Sequence, residues 1–238
     1  MISKKITATQ IASLYKFTRK HFVEHYDVQT ELVDHLANDI EQIWQEQPSL
    51  SFDDAKDISF KKFGVFGFMD VLESKVKAMN KKYWKLIHRF MKEFFQWPQA
   101  FYTLCLFLII NVVLSQEGYL ENSLIIIFGL VIIAMFVQLF RLRSILKKRL
   151  KLSDKKWLLE EMVLNTGGIA GFSYMPFQFI IQFIIQFPED GSISVIATLL
   201  LSLFLTGYIL LLYIVAFVIP SKMTELLEEQ YPEYKMIG

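Results

Sequence analysis

Across 238 residues, 25 Lys and Arg balance 24 Asp and Glu to a formal charge of +1, yet 53% of the chain is hydrophobic and its mean hydropathy is +0.35. A soluble domain of this size carries less apolar and more charged sequence, so the balance is that of a membrane protein. The single cysteine, Cys105, lies in an apolar run, which excludes an intrachain disulfide and a thiolate metal cluster and reads as a small buried hydrophobe.

MISKKITATQ lacks the apolar run and small-residue cleavage site of a signal peptide. The first 80 residues are therefore expected to stay in the cytoplasm. Ile11, Leu14, Tyr15, Phe22 and Tyr26 recur at three- and four-residue steps and predict a helix over 7–26. A second helix, over 28–46, sets Leu32, Val33, Leu36, Ile40, Ile43 and Trp44 against a polar face of Glu31, Asp34, His35, Asn38 and Gln42. Pro48 stops it. Ser51 with Asp54 forms a capping box for a third helix, which Gly64 terminates near Phe63. The aromatic turn Gly64 to Phe68 opens a fourth helix carrying Phe68, Val71, Leu72, Val76 and Met79. Residues 1–80 thus read as a small helical bundle with a modest core.

Residues 81–98, KKYWKLIHRFMKEFFQWP, form a junction. At ~100° per residue, Lys81, Lys82, Lys85, His88, Arg89 and Lys92 share one face, while Tyr83, Leu86, Ile87, Phe90, Met91, Phe94 and Trp97 share the other. Such an amphipathic helix is expected to lie in a membrane interface, with Lys81, Lys82, Trp84, Lys85, Arg89, Lys92 and Trp97 at the headgroups.

Four apolar runs follow, at about 99–116, 120–140, 163–187 and 193–219, each near the roughly 20 residues that cross a bilayer. The connections SQEGYLEN and FPEDGSI hold no Lys or Arg, whereas Arg141 to Lys156 and the approach to the first run are strongly basic. Positive-inside counting therefore predicts a four-helix transmembrane bundle over 99–219 with both termini cytoplasmic and 220–238 as a short tail. No charge sits centrally in any run, which argues against a pump or secondary transporter. Gln178, Gln182 and Gln186 make a polar stripe along the third run, and Thr198, Ser202 and Thr206 one along the fourth. Their expected role is hydrogen bonding between the two helices, the rival being a cavity for a lipid or small ligand. Gly167 and Gly171 form a GxxxG, suited to packing within the bundle or to a homo-oligomer. Pro176 is expected to kink the third helix.

His21 and His25, one helical turn apart, with His35 and nearby carboxylates, have spacing that permits zinc, but there is no HExxH, and a solvated or partner-facing surface is the preferred reading. No nucleophile-elbow, P-loop, Rossmann or kinase signature occurs. Neither an enzyme, nor a cofactor or metal, nor direct nucleic-acid binding is expected; the basic 141–156 stretch reads as an anchor on anionic headgroups.

The segment Tyr26 to Trp44, with its Glu-x-x-Asp-His step at Glu31, Asp34 and His35, is followed by Leu50 to Gly64, with Ser51, Phe52 and Ala55 opening a helix and an aromatic-glycine close. Together they resemble the HAAS-type signalling domain, and the likeness covers about a third of the chain. The resemblance implies a cytoplasmic helical module at the N-terminus of a bacterial inner-membrane protein, of the kind encoded beside a PadR-like transcription regulator. The long amphipathic junction departs from the simplest members. Glu31, Asp34, His35 and Asn38 are then the expected partner-binding face, and the lipid bilayer is the other expected partner. The expected function is that of a regulatory or sensory membrane protein, in which the junction helix couples the spans to the module. The alternatives are an accessory subunit of a transporter or envelope assembly and a lipid- or small-ligand-binding protein.

Overall fold

The computed structural model describes residues 4–116, 120–164, 178, 194–231 and 234, with the side chains of 120, 121 and 230 outside the description. Among the described residues it is all-helical, with no strand. The helices are α1 (Ala8–Lys20), α2 (Tyr26–Glu46), α3 (Phe52–Lys61), α4 (Phe68–Glu93), α5 (Gln99–Leu114), α6 (Leu120–Ser153), α7 (Leu158–Leu164), α8 (Val195–Tyr213) and α9 (Ile219–Gln230). The chain divides into two compact units: Met1–Asn80 with Ser153–Leu158, and Lys81–Leu152 with Leu159–Gly238.

In the first unit the helix starts follow their caps. The Thr7 hydroxyl accepts from the Gln10 backbone N–H while the Gln10 side chain accepts from the Thr7 N–H. Ser51 accepts from the Asp54 N–H at 3.1 Å. The first helix, expected to reach residue 26, stops at Lys20. The Phe22 N–H bonds to the Arg19 carbonyl and the Val23 N–H to the Thr18 carbonyl, with Phe22 at φ +64°. This is a Schellman stop carrying phenylalanine where glycine is usual. It throws Phe22 out to 80% exposure, against its expected place on the apolar stripe.

The core of this unit is built from Leu14, Val23, Leu32, Leu36 and Ile40. Beside it, Phe17, Phe60, Phe63 and Phe68 pack edge-on at 4.9–6.0 Å. Gly67 lies at φ +55°, and a Cβ there would meet the Phe60 ring at 3.0 Å. Gly67→Ala is expected to lower this unit's stability by about 1 kcal/mol, checked by thermal unfolding; an unchanged midpoint would show that the ring can move aside.

The second unit corrects three boundaries. The junction is no separate 81–98 helix: α4 runs unbroken from Phe68 and ends at Glu93. Its predicted faces do form, with Lys81, Lys85, Arg89 and Lys92 exposed and Tyr83, Leu86, Ile87 and Phe90 buried. That apolar face is covered by protein, however, rather than left for lipid. Phe94 meets Tyr213 edge-on at 6.0 Å, and the Lys222 ammonium of α9 lies 5.1 Å from the Phe90 ring. Trp84 and Trp97 remain exposed.

The second apolar run does not stop at residue 140. Arg and Lys are good helix formers, and α6 carries them on its surface to Ser153 while burying Leu142 and Leu146 one turn apart. Lastly, the supposed tail is helical to Gln230, because Ile219, Met223, Leu226 and Leu227 make one buried face of α9.

Asn122–Ser153 and Val195–Glu229 are long and apolar enough to cross a membrane, and Gln99–Leu114 is a shorter apolar helix. Only 22% and 33% of the most apolar windows of the two long helices is buried, which is unlike the core helices of a soluble protein. Of the third predicted span, 163–187, only Val163, Leu164 and Gln178 are described; Gly167, Gly171 and Pro176 lie outside.

Candidate functional site

Helix α2 buries Leu32, Val33, Leu36 and Ile40 to 1% exposure or less, and this amphipathic register turns Asp34, His35 and Asn38 outward, where all three are exposed. Glu31, expected beside them, is half-buried and held by Lys75 of α4 at 2.6 Å. Lys62 likewise holds Asp39 at 2.6 Å. The exposed face is thus narrower than the sequence suggested, with Glu31 engaged inside the unit.

The histidines do not share a helix. His21 caps α1, and its Nδ1 bonds to the Phe17 carbonyl oxygen at 2.9 Å while its ring packs against Phe60 at 4.5 Å. His25 lies beyond the Schellman stop, at the start of α2. Among the described residues, no group of three or more His, Cys, Asp or Glu is placed to hold a metal.

A further element of this unit, Ser153–Leu158, has no periodic signature in the sequence. Residues 154–157, with the helix ends Ser153 and Leu158 on either side, form a strap between α6 and α7 along the corner where α1 ends and α2 begins. The Tyr26 N–H donates to the Lys156 carbonyl at 2.7 Å, and the Leu158 N–H to the Asp27 carboxylate at 3.3 Å. Trp157, 1% exposed, meets the Tyr26 ring edge-on at 5.4 Å. Two ion pairs flank it, Arg19 with Asp154 and Lys156 with Glu24, each at 3.0 Å. The Lys155 ammonium sits 3.9 Å from the Tyr26 ring centroid. Asp27 is 7% exposed. Burial pushes its carboxyl above the usual carboxylate range, while the Leu158 N–H and the charge of His25 offset part of that rise.

In the second unit, Thr198, Ser202 and Thr206 are buried as a stripe on α8. Each hydroxyl donates to the carbonyl four residues back, at 2.7–3.3 Å. The partner across the helices is Asn111 of α5, whose amide donates to the Ser202 hydroxyl at 3.2 Å. Of the glutamine stripe expected to bond with these hydroxyls, Gln182 and Gln186 lie outside the described residues, and Gln178 is helical and exposed.

A π-turn at Ile214–Val218 separates α8 from α9, and there the Gln138 amide donates to the Ala216 carbonyl at 2.8 Å. Asn111 and Gln138 went unremarked in the sequence. Their signal was that of a lone polar residue in an otherwise apolar stretch, which must find a partner. Below them, Arg149 of α6 donates to Glu160 of α7 at 3.4 Å, to Thr224 of α9 at 3.0 Å, and to the Tyr234 hydroxyl. The Tyr234 hydroxyl donates to Glu160 at 3.1 Å.

These arrangements provide charged and aromatic contact surfaces. Comparison of the chain with protein-family models, with curated proteins and with solved structures finds no match.

Proposed function

We propose that this chain is a regulatory or sensory protein of a bacterial inner membrane, whose N-terminal helical module contacts a cytoplasmic partner of the PadR-like regulator type. Membrane residence is supported by the outward apolar surface of the long helices, such as Ile126, Leu130 and Ile133 on α6 and Leu200 and Leu203 on α8. An apolar surface of that extent is stable against lipid and unstable in water. The topology we propose has four spans with both termini cytoplasmic, on the positive-inside argument. Lys81, Lys82, Lys85, Arg89 and Lys92, with Trp84 and Trp97, line the membrane interface.

The observation that carries the partner reading is the exposed Asp34, His35 and Asn38 face on a module that has its own core. Their exposure leaves these three side chains accessible to a partner, and the HAAS-type resemblance supplies the kind of partner. Helix α4 carries the coupling: it passes from the first unit to the second at Asn80–Lys81 without a break. The test is co-purification of the regulator with the full chain. Asp34→Lys with Asn38→Lys is expected to abolish it, whereas Lys75→Ala, which breaks only the internal Glu31 pair, is expected to spare it. Undiminished capture by the first variant rejects the surface.

The rival reading, an accessory subunit held through its spans, is favoured by the Asn111–Ser202 and Gln138–Ala216 contacts, which make the apolar helices a specific scaffold. Such a subunit keeps its partner when the module is deleted; a regulator-binding protein does not.

A further inference from the structure

We propose that the Ser153–Leu158 strap is a detachable latch, with Trp157 as its anchor, which opens and closes on the α1–α2 corner while the helical core beneath stays folded. Four observations point this way. First, the ion pairs that flank the anchor are exposed: Asp154 and Glu24 have side-chain exposures of 87% and 69%, and pairs of that kind hold weakly and are screened by salt. Second, the largest side chain of the strap, Trp157, is buried and meets the Tyr26 ring edge-on, so it is the strap's anchor.

Third, left-handed backbone stands on both sides of the contact, at Phe22 (φ +64°) and at Asp154 (φ +50°). Non-glycine residues stay in that region only where the surroundings hold them, so release of the strap relieves Asp154. Fourth, two hydrogen bonds fix the strap's position, one accepted by its own Lys156 carbonyl and one donated by its own Leu158 N–H. The Tyr26 N–H needs the Lys156 carbonyl, and the Leu158 N–H needs the Asp27 carboxylate.

Both ends of the strap continue into helices of the second unit, α6 through Leu152 and α7 through Leu159. The latch is therefore a route by which a change in those helices reaches the module, separate from the one along α4. It stands whether or not the module binds a PadR-like regulator, since its contacts share no residue with the Asp34, His35 and Asn38 face.

Hydrogen exchange of the full chain in lipid nanodiscs tests it. A latch predicts that the peptides holding Tyr26 and Leu158 exchange in step, about tenfold or more faster than the α2 core around Leu36, because they open without unfolding it. Raising the salt concentration speeds the two together and leaves the core unchanged. Asp154→Asn combined with Lys156→Gln acts in the same way, and Trp157→Ala gives about a hundredfold acceleration. If both peptides exchange at the core's rate at every salt concentration, the strap opens only when the unit unfolds, and the latch is overturned. The wild-type salt series decides this even where a variant fails to fold.

Discussion

Arg149→Met should lower the stability of the second unit by about 2–3 kcal/mol, somewhat below the roughly 3–5 kcal/mol of breaking a fully buried ion pair, because the arginine is partly solvated. Its side chain is 39% exposed while that of Glu160 is 10% exposed, so the cost arises mainly on the glutamate, which loses a cationic neighbour at a site poor in water. The loss is also distributed. One guanidinium reaches Glu160, Thr224 and Tyr234, and its removal loosens α7, α9 and Tyr234 from α6 together. Tyr234 is itself 6% exposed, and burial pushes its hydroxyl up to about 12, with the Glu160 carboxylate adding to the rise. It therefore stays a neutral donor to Glu160 throughout the working pH range.

Glu160→Gln keeps an acceptor for that hydroxyl and should cost only about 1 kcal/mol. Because the two residues share one network, the double variant should lose less than the sum of the single losses. Thermal unfolding in detergent micelles measures all three. Additive losses would show that Arg149 and Glu160 act independently.

What could be read from the sequence followed from local signals. Ser51 marks a helix start through backbone chemistry that needs only neighbours in the chain, Gly64 marks the turn two residues beyond the Lys62 cap of α3, which ends at Lys61 rather than near Phe63, and the stripes of α2 and α4 follow from their periodicity. The misses share a different cause. Phe22 ends α1 in a conformation normally signalled by glycine, so the stop was silent and placed His21 and His25 on one imagined helix. The basic residues of 141–153 are topology signals and good helix formers at once, and the second property carries α6 on to Ser153 and sets the position of Arg149. The acidic residues of α9 drew attention from the buried face of Ile219, Met223 and Leu227. Trp157 stands in a basic stretch without periodicity, and its partner Tyr26 is remote in the chain, so no local pattern announces the strap. Of the candidate site, Asp34, His35 and Asn38 were legible as the polar side of an amphipathic helix. Glu31 was not separable from them, because its pair with Lys75 depends on how two helices pack.

Asp27→Asn should stabilise the first unit at neutral pH by about 1–2 kcal/mol, the scale of cost for burying a charge with incomplete compensation. The carboxylate lies in the first turn of α2, where a negative end is favoured, and it accepts from the Leu158 N–H; an asparagine oxygen can accept the same bond. What the substitution removes is the penalty of holding an anion at 7% exposure. The sign with pH follows from the direction of the shift. Burial raises the folded-state value above the ordinary 3.8, so between the two values the folded unit holds a proton that the unfolded chain has released. This contribution is greatest at the acid end of that window, and stability falls as pH rises through the folded-state value.

Unfolding midpoints followed upward in pH from the ordinary carboxylate value should therefore decline for the wild type until Asp27 ionises in the folded unit, and decline less for Asp27→Asn. The exchange of Leu158 and Tyr26 should slow in the variant at neutral pH, because a neutral acceptor beneath the strap no longer has to be desolvated as a charge each time it seats. A variant that melts lower and keeps the wild-type slope would show that the carboxylate charge helps to hold the strap, reversing the assigned sign.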